Sequence, residues 1–114
     1  MHTSGCVFCS IVAGKIPATF ILQNDYLVVF KDRSPRAPVH FLIVPKKHLS
    51  AMHALSDADQ ELGWQLVRAA RELAEKYGNP SDHGFNLMAN NGASAGQEVP
   101  HLHWHFLAGK RFEI

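Results

Sequence analysis

Hydrophobic residues recur along this chain in two rhythms, and the rhythms divide it into strands and helices. Residues 6–13, CVFCSIVA, set Val7, Phe8 and Ile11 on one side and predict a short helix that stops at Gly14, with Pro17 beyond it. Two β-rich runs follow, residues 19–23 and 26–31, joined as a hairpin across Asn24 and Asp25. The stretch DRSPRAP carries two prolines, so it reads as a loop feeding the strand HFLIVP at residues 40–45. The longest periodic segment comes next. Ser56, Asp57 and Asp59 mark a helix start, Leu62, Leu66, Ala70, Leu73 and Tyr77 keep helical spacing, and Gly78, Asn79 and Pro80 stop it. A second strand pair, residues 84–90 and 99–107, is joined by the loop NGASAGQE. Five strands with one long and one short helix, lacking β-α-β alternation, predict an α+β fold with a mainly antiparallel sheet under the long helix.

Composition narrows the class of protein without naming it. At 114 residues the chain is expected to be a single domain, residues 1–114, with one core. A net charge of +1 with eight neutral histidines provides no field for nucleic acid or anionic lipid, so a small specific ligand is the better expectation. The N-terminus MHTSGCVFCS lacks the basic and apolar regions of a secretory signal, and no apolar run approaches membrane-spanning length. A cytoplasmic protein is therefore expected. Cys6 and Cys9 are the only cysteines, too few for a disulfide framework.

The stretch HLHWHFL at residues 101–107 carries the most chemistry. Alternation in a strand puts His101, His103 and His105 on one face, about 6–7 Å apart, and Leu102, Trp104 and Phe106 on the other. A solvent-facing edge that happens to use histidine is the plain alternative. Three imidazoles in register cost desolvation unless a ligand or metal engages them. They read either as ligands of a catalytic zinc or as a phosphate site whose middle histidine is a nucleophile toward phosphorus. The preceding loop, with Asn90, Asn91, Gly92, Ser94, Gly96 and Gln97, offers N–H groups and amides to an anion and favours the phosphate reading. Cys6-x-x-Cys9 supplies half of a tetrahedral zinc site, or else a redox pair without its usual β-α-β setting. His40, His48, His53 and His101 are candidates for the other half, and spacing does not choose among them. Asp32 is either a local turn cap or an acceptor for ribose hydroxyls. Lys46 and Lys47 read as a solvated strand end, and Trp104 as core.

The H-apolar-H-apolar-H-apolar-apolar stretch, together with CVFCSIVAGKIPA (6–18), FKDRSPRAPVHFLIVPKKH (30–48) and NNGASAGQEVPHLHWHFLAG (90–109), resembles the histidine triad superfamily. Within it the chain is most similar to the Hint branch, the nucleoside phosphoramidases. The resemblance implies a two-fold homodimer that binds purine nucleotides near the triad. It implies cleavage of nucleoside 5′-phosphoramidates or aminoacyl adenylates through a nucleotidyl-histidine, releasing a monophosphate such as AMP. His103 matches the nucleophile and His105 the histidine that contacts the phosphate. Asp32 matches the ribose-binding acid, Asn90, Gly96 and Gln97 the phosphate-side loop, and Phe8 and Ile11 the apolar residues beside the base. Cys6, Cys9, His48 and His101 match zinc ligands in metal-containing relatives. Glu98 stands where many members have a serine that assists the leaving amine, which changes leaving-group handling at this nucleotide-side position. A nucleotide-binding adaptor with vestigial catalysis and a dinucleoside polyphosphate hydrolase are the alternative functions. The C-x-x-C and PKKH segments argue against the latter.

Overall fold

The computed structural model describes residues 5–114 and is an α+β fold built on one five-stranded, wholly antiparallel sheet. In chain order the elements are α1 (Val7–Val12), β1 (Leu22–Gln23), β2 (Leu27–Lys31), β3 (Val39–Pro45), α2 (Gln60–Tyr77), β4 (Asn86–Met88) and β5 (Trp104–Ala108). The sheet order is β1-β2-β3-β5-β4, so β3 and β5 lie inside and β4 forms one edge.

Each face of the sheet has its own apolar layer. Leu27, Val29, Phe41, Ile43 and Phe106 pack under the α2 stripe of Leu62, Leu66, Ala70 and Leu73. Val28, Phe30, Leu42 and Val44 point the other way, onto Phe8, Cys9 and Ile11 around α1. Because both faces are covered, residues 27–30 of β2 and 41–45 of β3 are continuous apolar runs, flanked by Lys31 and His40. Tyr77 closes the far end of the larger core, its ring edge-on to Phe41 at 4.8 Å.

Several elements are shorter than the pattern predicts, and hydrogen bonding explains the most consequential case. The expected strand 99–107 begins its ladder only at Trp104, opposite Ile43. Pro100 has no N–H, the His101 N–H bonds to the Val99 carbonyl at 2.8 Å, and the Leu102 N–H bonds to the Leu49 carbonyl at 2.6 Å. These residues are committed before the sheet begins. Of the three alternating histidines, only His105 lies in a strand. The run 19–23 pairs at Leu22 and Gln23, and 84–90 contracts to Asn86–Met88.

Helix α2 is entered through a 3₁₀ turn, Asp57–Asp59, rather than directly. Ser56 accepts from the Ala58 N–H while the Asp59 carboxylate accepts from the Ser56 N–H at 3.0 Å, a reciprocal capping arrangement. Lys47 is not simply solvated: its Nζ lies 2.7 Å from Asp59 Oδ1 and tethers the end of β3 to the start of α2. At the other end, Gly78 keeps a negative φ of −67°, so it is not there for left-handed backbone. A Cβ on it would lie 2.5 Å from the Ala74 carbonyl oxygen and 2.6 Å from that of His83, which excludes any side chain. Among the described residues no helix is long and apolar enough to cross a membrane.

Candidate functional site

On the α1 side of the sheet lies a cavity of about 550 Å³. The β2–β3 loop contributes Asp32, Ser34 and Arg36, and the β4–β5 connection contributes Asn90, Gly96, Glu98 and Val99. Phe8 and Leu42 form its apolar wall, and His103 and His105 complete the lining.

The strand register creates the histidine wall. His40 alternates with Leu42 and Val44 on the face turned toward α1, and Leu42 lies opposite His105 in the β3–β5 ladder. His103 sits one alternation earlier, its ring 5.1 Å from that of His105 and edge-on to Phe8 at 5.0 Å. All three histidines of the triad are buried.

Hydrogen bonds decide which ring nitrogens carry protons. His103 Nδ1 is 2.7 Å from the His101 carbonyl oxygen, so Nδ1 must bear the hydrogen that is donated, and Nε2 keeps an available lone pair. The Arg36 backbone N–H donates to His40 Nδ1 at 3.1 Å, which puts the His40 proton on Nε2. That proton faces His105 Nδ1 at 2.9 Å, with Asp32 Oδ2 3.5 Å from the same Nε2. His105 must then carry its own proton on Nε2. Burial is the main reason that His105 is pushed down to about 4, with the nearby His103, His40 and Arg36 charges adding to it and Asp32 opposing. Burial also lowers His40. At neutral pH, His105 is an uncharged hydrogen-bond donor rather than an imidazolium.

Asp32, His40 and His105 are close enough for a metal, but the donor at His40 argues against one. A neutral imidazole binds metal through its unprotonated nitrogen, and here that nitrogen accepts from Arg36. The second cluster fits a metal well. Cys6 Sγ, Cys9 Sγ, His48 Nδ1 and His101 Nδ1 lie within 4.8 Å of one another. Cys9 Sγ is 3.1 Å from His48 Nδ1, Cys6 Sγ is 3.4 Å from His101 Nδ1, and the two Nδ1 atoms are 3.1 Å apart. Zinc–ligand bonds of about 2.0–2.3 Å at tetrahedral angles give edges of about 3.3–3.8 Å, close to these spacings. The His101 Nε2–H donates to the Pro45 carbonyl at 2.8 Å, leaving Nδ1 to face the thiols as a ligand should. Burial raises the Cys6 thiol, a cost that a bound cation would offset. Of the four histidines that spacing left open, His53 is exposed in a 3₁₀ turn and His40 is buried against His105, behind the cavity wall.

The other expected site residues divide into those lining the cavity and those supporting it. Asp32, Asn90, Gly96, Glu98 and Phe8 line it, whereas Ile11 packs in the layer beneath. Asp32 also accepts from the Ser34 N–H at 2.8 Å, so the turn-capping reading holds alongside its place in the wall. Gln97 braces the loop: its Oε1 accepts from the Gly92 N–H, and its Nε2 donates to the Ser50 and Val99 carbonyls. The N–H groups of Gly92, Ala95, Gly96 and Gln97 are all used within the loop, so fewer face outward than the composition suggested. Gly96 adopts φ +88°, a left-handed conformation that lets the loop turn back toward the histidines. Arg36, Ser34, Leu42 and Val99 were not anticipated. Strand alternation with His40 would have found Leu42, while nothing local distinguishes Arg36 from an ordinary loop charge.

Comparison with known proteins extends these observations. The model for the HIT domain matches residues 13–112. An uncharacterised HIT-like protein of Synechocystis is 41% identical over 106 residues, covering 93% of this chain and 91% of the relative. Protein HitA of Neisseria gonorrhoeae is 36% identical over 102 residues, covering 90% and 94%. Among solved structures, a HIT family hydrolase from Legionella pneumophila superposes with a TM-score of 0.89 at 38% identity, covering 96% of both chains. A histidine triad protein from Clostridium difficile gives 0.91 at 36% identity, covering 100% of this chain and 98% of that one.

Proposed function

The chain belongs to the HIT-domain family, and from that membership and its cavity we propose that it is a nucleotide-binding hydrolase that cleaves purine nucleoside 5′-phosphoramidates through a nucleotidyl-His103 intermediate. The observation that carries the reading is the bond from His103 Nδ1 to the His101 carbonyl. It holds the ring in place and directs the basic nitrogen, Nε2, to the reaction.

In the first step His103 Nε2 attacks the α-phosphorus, the phosphorus–nitrogen bond to the substrate amine breaks, and the amine departs with a proton taken up from solvent, one that the attacking water gives back in the second step. In the second, water attacks the same phosphorus, the bond to Nε2 breaks, and the nucleoside monophosphate leaves with His103 neutral again. Splitting the substitution lets one positioned imidazole serve as nucleophile and then as leaving group. His105 donates its Nε2–H to a phosphoryl oxygen, and His40 keeps it in the tautomer that can do so. Asp32 accepts from the ribose hydroxyls and Phe8 borders the base, backed by Ile11 in the layer beneath. Asn90, Gly96 and Gln97 shape the phosphate side, and Glu98 lies near the leaving group. Aminoacyl adenylates fit the same scheme with a carboxylate in place of the amine.

A zinc ion held by Cys6, Cys9, His48 and His101 supplies cross-linking rather than reaction chemistry, since His101 presents Nδ1 to the thiols while its carbonyl orients His103. A two-fold homodimer is part of the proposal. Edge strand β4 exposes Leu87 and the outer face of α2 exposes Trp64 and Val67, apolar surfaces suited to a second copy.

Intact-protein mass spectrometry after brief mixing with adenosine 5′-phosphoramidate tests the chemistry. An adenylyl adduct and AMP release in the wild type, both absent in His103→Ala, are expected. AMP release undiminished in His103→Ala would refute the nucleophile. Tight AMP binding without turnover would leave an adaptor.

A further inference from the structure

Phosphate needs positive charge, and buried His105, whose Nδ1 accepts from His40, is a poor source of it. The remaining ionisable groups of the wall are the carboxylates of Asp32 and Glu98 and the guanidinium of Arg36. Without Arg36 the wall would carry two negative charges and would repel the group it is meant to receive.

Two further features set Arg36 apart from a solvated loop charge. The ion pairs among the described residues join Lys47 to Asp59, Arg68 to Glu72 and Arg111 to Glu113, and Asp32 lies beside uncharged His40, so no carboxylate claims Arg36. Its backbone is fixed as well, because the Arg36 N–H is bonded to buried His40. A long, exposed cationic side chain thus springs from an anchored point at the rim of the histidine cavity.

From this arrangement we infer that Arg36 reads the charge of the 5′-phosphate and sets the preference of the site for nucleoside phosphates over nucleosides. The inference rests on the nucleotide reading above and adds a residue to it. Arg36 contributes a delocalised cation that can bond two phosphoryl oxygens at once, beside the single donor from His105. Asp32, four residues earlier on the same loop, then faces uncharged hydroxyls, so one loop discriminates sugar from phosphate.

Calorimetric titration of full-length protein with AMP and with adenosine separates this role from a structural one. Arg36→Gln keeps the backbone N–H that His40 requires, and Arg36→Lys keeps the charge without the fork. Arg36→Gln is expected to weaken AMP about five- to tenfold, the scale of a partly exposed ion contact, while adenosine changes by less than about twofold. Arg36→Lys should recover part of the AMP affinity, and added salt should weaken AMP binding more in the wild type than in Arg36→Gln. Equal losses for AMP and adenosine, or no loss for either, would overturn the inference while leaving the nucleotide reading intact. Wild-type protein that binds neither compound would overturn both.

Discussion

His105 ties stability to pH in a way that can be calculated and isolated. Its folded-state pKa is pushed down to about 4 from an ordinary 6.5, chiefly by burial. As pH falls through 6.5 the unfolded chain takes up a proton at this residue and the folded chain does not, so unfolding is favoured. The contribution to stability is therefore complete above pH 6.5, declines as pH falls, and levels off below about 4. Over the full window the loss is about 3 kcal/mol, at 1.36 kcal/mol per unit. Between pH 7.5 and pH 5 it is about 2 kcal/mol. Urea unfolding of wild type and His105→Asn at both pH values provides the assay. Effects of the thiol cluster and of carboxylates away from the cavity occur in both proteins and cancel in the difference, whereas His40, bonded to His105, adds its own change to it. His105→Asn is expected to lose about 2 kcal/mol less than wild type on acidification, whatever its stability at pH 7.5. Equal losses in the two proteins would refute the claim that His105 is held neutral by its surroundings.

Metal analysis of purified protein should find one zinc per chain, with Cys9→Ser retaining only a small fraction. Chelation should lower Tm by about 10 °C, the equivalent of about 2–3 kcal/mol in a domain of this size; an unchanged Tm would remove the cross-linking role. Gly78→Ala is expected to cost about 2 kcal/mol in urea unfolding, because the methyl meets two carbonyl oxygens. A neutral or stabilising result would show that the turn relaxes.

Where burial follows a simple period, residues predict structure well. The α2 stripe from Leu62 to Tyr77 faces the sheet as its spacing requires, and the continuous apolar runs in β2 and β3 match strands covered on both sides. Alternation also placed the triad histidines correctly relative to Leu102 and Phe106, although the ladder begins only at Trp104. Long-range pairing was the obscure part. His40 meets His105 across 65 residues of chain because β3 and β5 are adjacent and antiparallel, a fact no local window contains. The same holds for Lys47, whose partner Asp59 lies beyond a loop. The choice of His48 and His101 over His53 beside the cysteines came from resemblance, and spacing alone had left it open.

The segment before β5 explains how one run of alternating histidines can serve two sites. Had the ladder continued back to residue 99, the carbonyl of His101 would have been a candidate for pairing within the sheet. Instead the backbone leaves the ladder before Trp104, and that carbonyl is free to accept from His103 Nδ1. The His101 ring turns toward Cys6 and Cys9, while its Nε2–H is held by the carbonyl that ends β3. Two groups of a single residue thus face different ways, the ring toward the thiols and the carbonyl toward His103. A disturbance at the thiol cluster has a short physical route to His103, through the backbone of one residue and one 2.7 Å hydrogen bond. The route to His105 is different, through His40 and the Arg36 backbone, so His103 and His105 are positioned by separate supports.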